Sequence, residues 1–88
     1  MEDATVETHI FALLARRKQG ATICPSEVAR ALVPEGGPWR ELMPSVRQVA
    51  AGLAQANRLV VTRGGVSVCA TGPGGPIRLG LPAQGPLP

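Results

Sequence analysis

The chain has 88 residues, is 44% hydrophobic with one Phe, one Trp and no Tyr, and carries a formal net charge of +3. That length holds one small domain, packed by aliphatic residues and alanine, with little room for an enclosed active site. No run approaches the roughly 18 apolar residues of a membrane span, and the acidic start MEDATVETH lacks the apolar stretch of a secretory leader, so the expected location is the cytoplasm.

The first helix is expected from Ala4 to Lys18, because Val6, Ile10, Leu13 and Leu14 recur on one face with Phe11 beside them. Asp3 or Thr5 is suited to cap it, and Glu7 complements the positive end of the helix dipole. Arg16, Arg17 and Lys18 fall in its last turn on this reading, where cations are favoured without any ligand, and Gly20 is the stop. Ala21–Ile23 is β-branched and reads as a short strand into the next helix.

The stretch TICPSEVAR raises the one enzymatic question, because Cys24 could be a nucleophile or a helix cap. A residue followed by Pro, with Glu two positions further on, marks a helix start. Cys24 becomes the cap, Pro25 the first helical residue, and Glu27 reaches back to a free backbone N–H; Ser26 is the alternative cap. A thiol nucleophile needs a base, and the single His9 lies on the first helix. Two distant cysteines and one histidine match no zinc spacing. No catalytic residue, metal or cofactor is therefore expected. The helix should bury Val28, Ala31 and Leu32 and end before Pro34.

VPEGGP is a turn between two helices, the layout of a helix-turn-helix. A short helical turn at Trp39–Leu42 and a main helix at Pro44–Ala56 should follow, with Val46, Val49, Ala50 and Leu53 inward. At about 100° per residue, the opposite face carries Gln48, Ala51 and Gln55, flanked by Ser45, Arg47 and Gly52. Small residues, amides and one cation without an acid suit a helix entering a DNA major groove. An ordinary solvated face would have the same polarity. Trp39 reads as a plug between helices, and Asn57 as the stop.

Arg58–Thr62 and Pro76–Leu81 read as strands, the second with Ile77, Leu79 and Leu81 on one face and Arg78 and Gly80 on the other. A hairpin with a long glycine-rich loop fits the segment between them. The alternative is a tight turn at Gly64–Gly65 with Val66–Val68 as a third strand. GPGG matches neither a Walker A loop nor a dinucleotide fingerprint, so nucleotide binding is not expected. Cys69 lies in the loop without a partner. Residues 1–82 are read as one domain and residues 83–88 as a disordered tail.

This order gives an α+β winged helix: a three-helix helix-turn-helix core plus a C-terminal β-hairpin wing. Charge follows the same division. All six acids precede Leu42, whereas Arg47, Arg58, Arg63 and Arg78 follow it without an acid, an asymmetry that suits an anionic partner. The candidate double-stranded DNA contacts are Arg47, Gln48, Ala51 and Gln55 on the third helix, Arg40 near its start, and Arg63 and Arg78 at the wing. A protein partner meeting the same surface is the rival, since fold does not fix function. A monomer is the default, and a dimer through the first helix or hairpin edge is the alternative.

TICPSEVARAL, WRELMPSVR and GPIRLGLP, in that order between about Ile10 and Pro82, also resemble a family of small bacterial proteins classified as a domain of unknown function. The resemblance implies a winged-helix-like fold and no established activity. Pro25, Trp39, Pro44 and Pro76 in these stretches read as structural.

Overall fold

The computed structural model describes residues 2–82. Its elements run α1 (Asp3–Ala15), β1 (Thr22–Ile23), α2 (Pro25–Leu32), a 3₁₀ turn (Trp39–Leu42), α3 (Met43–Gln55), β2 (Val60–Arg63), β3 (Val66–Ser67) and β4 (Arg78–Gly80). The three helices pack on one another, and an antiparallel sheet of order β1-β4-β2-β3 closes them. The fold is α+β with a winged-helix-like arrangement, as the order of elements implies. No helix among the described residues is long and apolar enough to cross a membrane. The tail at 83–88 lies outside the described residues.

Each helix buries the stripe its spacing dictates. Val6, Ile10 and Leu14 of α1 meet Val28 and Ala29 of α2 and Val46, Val49, Ala50 and Leu53 of α3 in one cluster. Ile23, Val61 and Leu79 sit in one register across β1, β2 and β4 and face the same core. The helix boundaries have local causes. At α2 the Cys24 N–H donates to Glu27 Oε2 at 2.8 Å, so the pattern CPSE caps the helix as expected. At α3 the Arg58 N–H donates to the Leu53 carbonyl and the Asn57 N–H to the Ala54 carbonyl, with Asn57 at a φ of 61°. That is a Schellman stop with asparagine in the left-handed position.

Several expectations need correction. α1 starts one residue early, with Glu2 as its cap, and ends at Ala15. Arg16, Arg17 and Lys18 therefore follow the helix. Its last bonds tighten to three-residue spacing, and the Arg17 side chain leaves to pair with Glu27. In α2 the buried small residue is Ala29, which joins Val28 in the core, while Ala31 is exposed and Leu32 half-buried. α3 begins at Met43, so Pro44 falls in its first turn.

The long-loop hairpin is also revised, and the alternative turn is the one formed. Gly64 and Gly65 take φ of 58° and 83°, the two positive values of a tight type I′ turn. β3 then folds back on β2, and β4 pairs on the other side of β2. Leu81 does not continue the inward face. The strand stops at Gly80, leaving Leu81 55% exposed.

Candidate functional site

The outward face of α3 forms one wall of an open groove of about 680 Å³, lined by Met43, Pro44, Arg47, Gln48, Ala51, Gly52 and Gln55, with Thr71 of the wing loop opposite. Four sequence-selected residues, Arg47, Gln48, Ala51 and Gln55, come together there. The helix period explains why: Val46, Val49, Ala50 and Leu53 are pulled into the core, which turns these four outward. Gly52 adds no side chain, and a Cβ there would have nothing within 4 Å, so the floor of the groove is open. No acid lines it.

The other candidate arginines lie elsewhere. Arg63 folds along the wing, its Nε and Nη2 donating to the Gly75 carbonyl at 3.2 and 3.0 Å. Gly74 makes room for it. A Cβ at Gly74 would lie 2.5 Å from the Arg63 Cζ, and its φ of +135° is one that side chains resist. Arg78 donates from Nε to the Thr22 Oγ1 and from Nη2 to the Thr22 carbonyl, both at 2.9 Å. It projects from the sheet face opposite Leu79, away from the helices. Both arginines thus stitch the wing and sheet, each with Nη1 left over. Arg58 precedes β2 and pairs with Glu7 of α1 at 2.7 Å, its guanidinium 5.2 Å from the Phe11 ring. Arg40 sits at the Trp39 ring, outside the groove lining. Of the four arginines after Leu42, Arg47 alone has no ion pair or side-chain hydrogen bond among the described residues.

Sequence reasoning missed the groove's second wall. Thr71 is brought to α3 by the path of the loop after β3, and no local pattern announces it. Its hydroxyl lies 3.3 Å from the Cys69 Sγ. That hydrogen bond, then one from the Thr71 backbone and a weaker one from the Gly72 backbone, hold the exposed Cys69 thiol below its ordinary pKa, against desolvation, which raises it. Cys24 accepts a hydrogen bond from the Ser26 hydroxyl at 3.1 Å. His9 donates from Nδ1 to the Thr5 carbonyl at 2.9 Å, since a carbonyl can only accept. No group of three His, Cys, Asp or Glu side chains suited to a metal ion occurs among the described residues.

Sequence comparison finds no match among curated proteins. It does match residues 3–82 to the family described as "Protein of unknown function (DUF3253)". The match takes in all three helices, the four strands and both walls of the groove, and the chain belongs to that family.

Proposed function

We propose that this domain binds double-stranded DNA without catalysing a reaction, as a small regulator would, with α3 entering the major groove. The observation that carries the reading is the acid-free face of Arg47, Gln48, Ala51, Gly52 and Gln55 beside the wing loop. A major groove about 12 Å wide admits a helix. Ala51 and Gly52 allow close approach, Gln48 and Gln55 offer amides to base edges, and Arg47 supplies a cation for a base or phosphate. Arg63 and Arg78 support the wing in this reading and reach phosphate only through their remaining nitrogens. The domain acts as a monomer in the cytoplasm.

Fluorescence anisotropy with random duplex DNA across a salt series tests this. Binding should weaken steeply with salt, and Arg47→Glu should lower affinity by about tenfold or more. Absence of binding at low salt rejects the reading. A protein partner is favoured by a separate observation: residues 64–75 carry no charge and leave Val66 66% exposed. Duplex affinity unchanged by Arg47→Glu would turn attention to that partner.

A further inference from the structure

Away from the α3 groove, two arginines share one aromatic ring. Arg30, in the last turn of α2, places its Cζ 4.4 Å from the centre of the Trp39 ring. Arg40, the next residue along the chain from Trp39, places its Cζ at 4.5 Å from the same centre. Both arginines are exposed, and neither has an ion pair or a side-chain hydrogen bond among the described residues. With Trp39 and the turn at Val33–Gly37 they line an open groove of about 510 Å³.

Two like charges at one ring repel. Attraction to the aromatic face offsets part of that cost, and an anion beside them in the groove would offset more. A guanidinium over a ring keeps N–H donors for an acceptor, in a planar fork that matches oxyanions. Two forks offer more donors than the two oxygens of a carboxylate can use. A phosphate group carries enough oxygens to meet both. Glu35 also lines this groove, and its carboxylate opposes an anion there.

We propose that Arg30, Trp39 and Arg40 form a phosphate clamp at the entry to α3. Its ligand is a phosphate group, either a backbone phosphodiester of a duplex or a free phosphate ion. The duplex case rests on the reading of the α3 groove given above; the clamp itself does not.

Trp39 is the only tryptophan, so its emission reports on the clamp directly. The full chain would be titrated with sodium phosphate at constant ionic strength, with chloride and acetate as controls. A parallel titration with random duplex DNA would follow both Trp39 emission and anisotropy. Phosphate should change the emission saturably, Glu35→Gln should shift saturation to lower phosphate, and Arg30→Gln with Arg40→Gln should abolish the change. If the duplex supplies the phosphate, the double variant should also flatten the slope of log affinity against log salt by about one for each lost contact.

An emission change with phosphate but no duplex binding keeps the clamp as a free-phosphate site and rejects the α3 reading. Duplex binding that leaves Trp39 emission and the double variant's salt slope unchanged rejects the clamp and leaves the α3 reading standing. Equal responses to acetate, chloride and phosphate, no response to phosphate or duplex, or a full response in the double variant also reject it.

Discussion

Cys69 and Thr71 show how two neighbouring side chains set a local chemistry. The Thr71 hydroxyl stabilises the Cys69 thiolate, so the thiolate forms at lower pH than on a free chain. Alkylation of Cys69 by iodoacetamide should reach its half-maximal rate at a lower pH in the native protein than in Thr71→Val, where the hydroxyl is gone. The check is a rate–pH profile on a Cys24→Ser background; coincident profiles would remove Thr71 as the cause. At this scale, contacts between near neighbours were legible. CPSE announced the Cys24–Glu27 cap because its atoms lie within one helical turn. The Arg63–Gly75 contact was not, because it depends on the left-handed turn at Gly74 and on a loop path that no residue pattern encodes. Arg63 and Arg78 looked like free cations in the sequence, and only folding gave them backbone carbonyls.

α3 is the element in which sequence and structure agree most closely. Its inward residues are aliphatic or alanine, its outward ones are polar or small, and Asn57 ends it. Gly52 is the weak point of this helix, since glycine in a helix interior costs about 1 kcal/mol relative to alanine. A Cβ there meets nothing within 4 Å. Gly52→Ala should therefore raise stability by about that amount in urea unfolding. The added methyl also enters the groove, so the same variant should bind duplex DNA more weakly. A gain in stability without loss of binding would place the contact surface elsewhere than this face. α1 was less legible at its end. Arg16, Arg17 and Lys18 are good helix formers, so propensity gave no reason to stop at Ala15. Arg17, past that end, pairs instead with Glu27 on α2.

Over the whole molecule, one cluster joins all three helices to the three strands β1, β2 and β4. Leu79 is fully buried in β4 between β1 and β2. Leu79→Ala should cost about 2–5 kcal/mol, a large fraction of the stability of a small domain, which is about 5–15 kcal/mol. Chemical denaturation would show a midpoint shifted far down, or no cooperative transition. A midpoint close to that of the parent chain would mean that the sheet is not part of the same cooperative unit as the helices. The winged-helix-like order was legible because each element has its own periodicity. The pairing of β4 with β1 was not, since it joins residues far apart along the chain.

That pairing has a consequence for how the protein is made. Thr22 and Ile23 are synthesised well before their partners Gly80 and Leu79. Until then β1 has no neighbour and β2 has only β3. The nascent chain can gather its helices, but two strand edges and the apolar floor beneath them stay open until β4 is made. Arrival of β4 fills the gap between those edges in one step, so a stalled or truncated chain ending before Ile77 would present a sticky, half-closed sheet to its neighbours.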